Sequence, residues 1–356
     1  MLILASATFA QSEFADTTES AKGRNKNLLL RIIDKFNDFD TRYIEANKYS
    51  FTSMFQNTNT YDRYKLSSTD DNGATQTIEL SPTPSFKIGP YFGWKALFIG
   101  YTFDVGNIAN ATEKTEFNLN LYTSLLGLDI VYKRNTGKFN ITEISGFGNA
   151  TTADVENEDF RGMDVKIFGL NFYYIFNHRK FSYPAAFNQS TRQLRSAGTW
   201  NAGFKYSYQT INFDYTKLPD AMLYEADGTE VLHNDLKFRT IRYYDYSLNF
   251  GYSYNWVFAR NCLFAISLSP ALGYKHLKGE TMKAKDFFKF DNINIDFVTR
   301  IGLVWNNSRY FVGSSTILHM YDYKKDKLSM TNTLNWVNVY AGLYFDLPRK
   351  KRPQAR

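Results

Sequence analysis

Residues 244–258 read Tyr-Asp-Tyr-Ser-Leu-Asn-Phe-Gly-Tyr-Ser-Tyr-Asn-Trp-Val-Phe. Even positions carry only Tyr, Leu, Phe and Trp, while odd positions from 245 to 255 carry only Asp, Ser, Asn and Gly. Successive strand side chains point to opposite faces, so one face is aromatic and apolar and the other small and polar. The next stretch repeats the pattern. Cys262, Phe264, Ile266, Leu268, Pro270, Leu272 and Tyr274 alternate with Ala265, Ser267, Ser269, Ala271 and Gly273. Further on, Ile293, Ile295, Phe297, Ile301, Leu303 and Trp305 alternate with Asn294, Asp296, Arg300 and Gly302. The last such run sets Val337, Val339, Ala341, Leu343, Phe345 and Leu347 against Asn338, Tyr340, Gly342, Tyr344 and Asp346.

In a soluble sandwich the apolar face would be the core, but strands there average only ~5–6 residues, against about 14–20 here. A long strand with an apolar face and a polar one is the pattern of a transmembrane barrel, with lipid outside and water or polar packing inside. Composition agrees: Phe, Tyr and Trp make up 17% of the 356 residues, and Tyr and Trp suit the headgroup level. The rival reading is a large soluble barrel or an extended secreted sandwich. The mean hydropathy of −0.41 and the absence of an apolar run near ~18–20 residues exclude a helical membrane protein. The expected fold is therefore all-β, a transmembrane antiparallel β-barrel of about 12 strands with a short N-terminal amphipathic helix.

Residues 1–10 resemble the remnant of a signal peptide, apolar from Leu2 to Phe9, with small residues at Thr8 and Ala10 before Gln11. The charged n-region is missing, which implies residues ahead of Met1. Residues 11–47 form the N-terminal periplasmic segment. In it Leu28, Leu29, Ile32, Ile33, Phe36 and Phe39 recur at helical spacing. Residues 48–347 are the barrel, and 348–356 a basic tail with Arg349, Lys350, Lys351 and Arg352.

The strands are expected at 49–67, 75–92, 95–105, 114–134, 138–147, 162–176, 198–214, 236–257, 261–277, 289–305, 308–323 and 328–347. Short turns at Gly93-Trp94, Arg134–Gly137, Ala259–Asn261 and Asn306–Asn307 fit a periplasmic end, and longer polar loops (68–74, 106–113, 148–161, 215–235, 278–288) fit the outer end. Residues 177–197 break the rule, being long on the short-turn side. They carry Phe181, Tyr183, Pro184 and Phe187 beside Arg179, Lys180, Arg192 and Arg195. So many rings would lose burial in a solvated loop. The segment is expected to fold into the barrel mouth as a partial plug, its basic residues meeting inward carboxylates, or to serve a periplasmic protein partner.

Four stretches carry a resemblance: Lys87-Ile-Gly-Pro-Tyr-Phe-Gly-Trp94, Phe98-Ile-Gly-Tyr-Thr-Phe-Asp104, Lys114-Thr-Glu-Phe-Asn-Leu-Asn-Leu-Tyr122, and Tyr183-Pro-Ala-Ala-Phe-Asn-Gln-Ser190 continuing to Arg195-Ser-Ala-Gly198. The chain resembles the DUF4421 family of Bacteroidetes exported proteins from about residue 38 onward. The resemblance implies an envelope location and a barrel-like outline, and no chemistry. The residues after Leu347 depart from the usual barrel ending, an aromatic near the C-terminus, so Phe345 has to meet the barrel-insertion machinery.

Charged residues within strands point to the interior, because Arg or Lys facing mid-bilayer lipid costs ~2–4 kcal/mol. Parity places Asp245, Asn249, Lys275, Asp296 and Arg300 inside, with Asp104, Glu116 and Asp129. They could form a structural network of paired charges or line a wet path. Catalysis finds little support. Ser315 and His319 share a strand face, but four residues span roughly 13 Å, and Gly-x-Ser-x-Gly and His-Glu-x-x-His motifs are missing. The single Cys262 excludes an intrachain disulfide framework. The four His show no metal-ligand spacing, and no cofactor signature is present. A net charge of +7 spread through loops carries no nucleic-acid footprint. The function expected is a non-enzymatic outer-membrane barrel: a narrow or plugged channel, or a structural or assembly component of the envelope. The alternative is a lipid-modifying enzyme of phospholipase or lipid A deacylase type. Sequence names no solute and no oligomeric state.

Overall fold

The computed structural model describes residues 39–94, 97–106, 114–156, 158–281, 287–325 and 327–346. The proposed signal, the N-terminal helix up to residue 38 and the basic tail lie outside the described residues. In chain order the strands are β1 (Ile44–Ala46), β2 (Phe51–Thr69), β3 (Thr75–Pro82), β4 (Ser85–Trp94), β5 (Leu97–Gly100), β6 (Phe103–Asp104), β7 (Lys114–Tyr122), β8 (Leu126–Thr136), β9 (Phe139–Ser145), β10 (Asp159–Phe160), β11 (Met163–Ile175) and β12 (Thr191–Gln193). The long strands β13 (Ala197–Phe213), β14 (Phe238–Ala259), β15 (Cys262–Thr281), β16 (Phe287–Asn306), β17 (Tyr310–Lys325) and β18 (Leu328–Phe345) complete the sheet.

β13 to β18 pair as successive antiparallel neighbours, and β18 pairs back onto β2. The closure elsewhere depends on height. β3 and β4 are one descending run broken at Thr83-Pro84. β2 takes β3 along Tyr64–Thr69 and β4 along Phe51–Thr60. β8 and β9 are one rising run kinked at Gly137, whose φ of 125° suits a residue without Cβ. At the far end β9 pairs β3 and β10 pairs β9. The ring there closes through β2, β3, β9, β10 with β11, and β13 to β18. At the turn end β5 and β6 pair only β4, and β7 pairs only β8, among the described residues. Antiparallel pairing closes the ring at the far end, whereas at the turn end no pairing joins β7 to β5 or β6 among the described residues.

Two expected boundaries are corrected. Residues 114–134 are not one strand: the chain turns at Thr123–Leu125. The Thr123 hydroxyl accepts from the Leu126 N–H at 2.8 Å, satisfying the turn locally. Arg134–Gly137 is accordingly no turn but the kink between β8 and β9. The apolar run on either side of Thr123-Ser124 concealed the reversal.

The faces divide as alternation requires. Leu248 is 71% exposed and Ile293 67%, with Phe250, Leu268, Leu272 and Ile295 also outward. Asp245, Ser247, Asn249, Ser253 and Asn255 are buried inside. The inside changes character along its length. At the far end it is apolar, where Phe139, Ile141, Phe160, Phe213 and Ile241 from the wall meet Leu218, Met222, Leu223, Leu232 and Leu236 from residues 214–237. Expected as an outward polar loop, that segment folds inward as a cap, because five buried aliphatic side chains gain more inside than in water. Gln76 fastens it to β3, its amide donating to the Val231 carbonyl and accepting from His233 N–H, both at 2.8 Å. Phe147 and Val155 of the 146–158 connection join the same core.

Leu236 is fully buried in this cap while its neighbour Asp235 is exposed. Leu236→Ala should cost about 2–5 kcal/mol, lowering the urea midpoint of the refolded barrel. Asp235→Ala should leave that midpoint within error.

Candidate functional site

Below the cap the strands carry a layer of buried charge. Lys133 Nζ lies 2.6 Å from Asp62. Lys205 Nζ lies 2.6 Å from Asp296 and 3.7 Å from Asp245, and Lys275 Nζ reaches the other Asp296 oxygen at 2.6 Å. Arg300 pairs with Asp129, and Lys87 with Glu116, which also accepts from the Trp336 indole N–H. Neutral groups complete the layer. Asn171 donates to Asp129 at 3.0 Å, Asn249 to Asn171 at 2.8 Å, and Ser247 to Asp245 at 2.5 Å. The carboxylates Asp62, Glu116, Asp129, Asp245 and Asp296 stand against the cations Lys87, Lys133, Lys205, Lys275 and Arg300. Five against five leaves this layer with no formal net charge. Removing such ions from water costs several kcal/mol each, and only close pairing offsets it.

Glu116, Asp129, Asp245, Asn249, Lys275, Asp296 and Arg300 are thus brought together inside. Asp104 is not. It is half-buried on the inward side of β6 and accepts the Phe86 N–H at 3.4 Å. Sequence reading missed Asp62, Lys87, Lys133 and Lys205. Parity would have found them, since Asp62 shares its strand face with Thr58 and Thr60, and Lys133 with Asp129.

At the turn end residues 176–196 cross the mouth. Ser182 caps the short helix Tyr183–Phe187, its hydroxyl accepting from the Ala185 N–H at 3.3 Å, and Pro184 sits in the first turn, where no N–H is required. Phe181, Tyr183 and Pro184 are buried, and Phe187 partly so. The Tyr183 hydroxyl meets Ser253 at 2.5 Å and Ser267 at 2.8 Å on the inner wall. Its ring packs among Tyr122, Tyr173, Phe181 and Phe187. β12 pairs β1 as a small second sheet across the opening.

The basic residues of this segment do not meet the inward carboxylates. Arg179 and Arg195 are exposed, and Arg195 lies over the Tyr43 ring at 5.9 Å. Arg192 bonds Glu45 at 2.6 Å and Asn261 at 2.9 Å. The interior carboxylates already hold strand-borne cations, so the segment's long side chains stay at the rim. Burial would raise the Glu45 carboxyl, but its Lys48 hydrogen bond and the Arg192 charge outweigh that and hold it below its usual value.

Between the helix and the wall of β2, β4, β7, β17 and β18 lies a cavity of about 90 Å³. Ser315 and His319 both border it. Ser315 Oγ accepts from Asn338 Nδ2 at 3.3 Å, whereas His319 Nδ1 faces the Tyr321 hydroxyl at 3.4 Å. Among the described residues no hydrogen bond joins them, so they do not constitute a nucleophile–base pair.

The Arg300–Asp129 pair offers a clean measurement. Arg300→Met should destabilise by about 3–5 kcal/mol, because it leaves a buried carboxylate unpaired. Adding Asp129→Leu should recover most of that loss in urea unfolding. A double variant no more stable than the single one would show that the pair is not the coupled unit.

Among curated proteins none matches the chain. Similar solved structures include the outer membrane protease OmpT from Escherichia coli, 7% identical, covering 84% of this chain and 97% of that one at a TM-score of 0.40. The outer membrane protein OprG from Pseudomonas aeruginosa is 12% identical, covering 86% and 100% at 0.25. The P. putida toluene transporter TodX is 8% identical, covering 83% and 91% at 0.22. At such identities and scores their activities assign nothing here. The sequence model of a domain of unknown function, DUF4421, matches residues 38–345, and the chain belongs to that family.

Proposed function

We propose that the protein is a closed β-barrel of the Gram-negative outer membrane, a structural or assembly element of the envelope rather than a free-running pore. The carrying observation is that its interior is blocked at three levels: the apolar cap, the charge-balanced layer and the turn-end helix. The outward belt from Leu248 to Ile295 supports the membrane reading, since contiguous apolar surface on this scale needs a nonaqueous partner. Outer-membrane lipid is that partner, and the barrel-insertion machinery delivers the chain to it. Reading residues 1–10 as an export signal favours a periplasmic side for the short turns, β1 and the plug, where the solvent-exposed Arg179 and Arg195 would face a protein partner.

Conductance decides between closed and open barrels. The intact protein should give no steady conductance in planar bilayers while still showing heat-modifiable migration. Replacing residues 181–196 by a Gly-Ser bridge should leave it closed, because the cap still fills the far end. Stable open-channel steps from the intact protein would defeat the closed reading.

The membrane reading has its own measurement. Phe250→Arg faces outward and should cost ~2–4 kcal/mol near the midplane, reducing folding yield in lipid vesicles. Phe250→Leu should fold as the parent does. Recovery of the parent protein in a detergent-free soluble periplasmic fraction would overturn the location.

A further inference from the structure

The two ends of the barrel carry opposite charge. In the described turn-end segments (39–50, 176–196, 259–261, 307–309 and 346) eight Lys and Arg stand against three Asp and Glu. In the described far-end segments (70–74, 146–156, 158–162, 214–237 and 327) four stand against twelve. Half of the turn-end cations gather on one flank. There the β14–β15 and β16–β17 turns touch, the Asn306 N–H donating to the Asn261 carbonyl at 2.9 Å. Arg192 reaches Asn261 at 2.9 Å and Glu45 at 2.6 Å. Glu45 also takes Lys48 at 2.8 Å and the Ser308 hydroxyl at 3.1 Å. Arg309 lies over the Tyr49 ring at 5.0 Å, and Asp346 accepts the Ser50 N–H at 2.7 Å. Lys48, Arg192, Arg260 and Arg309 thus share the flank with two carboxylates, Glu45 and Asp346, and positive charge remains in excess. Lys48, Arg260 and Arg309 are exposed.

The height of these cations decides what they meet. Trp256 and Trp305 stand on the outer wall, 52% and 40% exposed, and each precedes an exposed turn arginine by four residues, Arg260 and Arg309. Phe258 and Tyr310 point outward beside them. Outward Trp and Tyr mark the headgroup level of a bilayer, so the arginines reach the phosphates just beyond it. We propose that this flank binds an anionic phospholipid, its phosphate held by Arg260 and Arg309 and its acyl chains laid along the wall at Trp256, Leu303 and Trp305. Guanidinium groups suit a phosphodiester because they donate two parallel hydrogen bonds. An acidic protein fits this flank less well, since its cations border the apolar belt, whereas Arg179 and Arg195 stand at the plug. The acidic far end repels the same headgroup, which confines the preference to one leaflet. The inference rests on the outer-membrane reading and names the lipid that this face of the barrel selects.

The test uses the full chain folded into phosphatidylcholine vesicles. One set carries a small fraction of brominated phosphatidylglycerol, the other the same fraction of brominated phosphatidylcholine. Bromine on an acyl chain quenches tryptophan on contact, so Trp256 and Trp305 report which lipid sits beside them. Phosphatidylglycerol is expected to quench with several-fold higher apparent affinity. The excess should shrink as salt rises to ~1 M, where the Debye length is about 3 Å. Arg260→Ser and Arg309→Ser should each cut the preference by up to about fivefold, and the double variant should abolish it. Arg260→Lys with Arg309→Lys, which keeps the charge, should retain most of it. Arg239→Ser removes an exposed cation near the far end, makes the same change in net charge, and should leave the preference intact. Heat-modifiable migration of each variant verifies folding. Equal quenching of the parent by the two lipids, or an unchanged preference in the double serine variant, overturns the proposal and leaves the flank to an acidic protein partner. Quenching by neither lipid overturns the outer-membrane reading itself, and the proposal with it.

Discussion

Asp296 is gripped from two sides, by Lys205 and Lys275, each at 2.6 Å. Neither oxygen can be reached by bulk water, and the Asp296 side chain is fully buried. A carboxylate so placed keeps its charge only if both cations stay in position. They arrive on β13 and β15, while Asp296 comes from β16. Three strands must therefore hold one relative height. A slip of one residue would turn every side chain of a strand to the opposite face. Asp129 with Arg300, and Asp62 with Lys133, impose the same demand across the lumen, joining β8 to β16 and β8 to β2. The charges contribute little net stability against a well-packed apolar interior, but they specify register. A sheet with an apolar outer face has little else to fix its register, because lipid accepts any apolar side chain in any order.

How much of this was legible follows from which features are periodic. Alternation in residues 244–258 sets the faces of β14, and the same parity assigns Arg300 and Asp129 inward with no knowledge of their contact. Parity says nothing about which inward charges meet, because partners come from strands far apart in sequence. Lys205 and Asp296 are separated by 91 residues. Aperiodic segments were the least legible. Leu218 and Met222 stand four apart, as do Leu232 and Leu236, but each spacing occurs once and polar residues separate the two pairs, so they read as scattered residues of a polar loop. Their common burial appears only once the wall supplies Phe139, Phe213 and Ile241 around them.

The two closures differ in physics. The far cap is held by apolar burial, which has no direction, and is fastened by a few bonds such as those of Gln76. The turn-end helix is seated by apolar burial too, of Phe181, Tyr183, Ala185 and Ala186, and adds more directed contacts: Tyr183 to Ser253 and Ser267, Gln189 to Tyr340, and Asn255 to Gln193. Directed contacts set a position without filling all the space behind it. A cavity of about 90 Å³ is left beside the plug helix.

The balance of fixed charge bears on ion passage. Pores that select ions by fixed charge use rings of one sign, which lower the barrier for the opposite sign. Here each inward carboxylate of the charged layer faces a cation within a few ångströms, and the layer sums to zero. An ion entering it would meet neither net attraction nor the water needed to replace its hydration. The wall would have to separate Arg300 from Asp129 or Lys205 from Asp296 to admit one, exposing unpaired charge in the same step. The pairing that sets strand register therefore also raises the barrier to permeation, so register and closure are consequences of one arrangement of side chains.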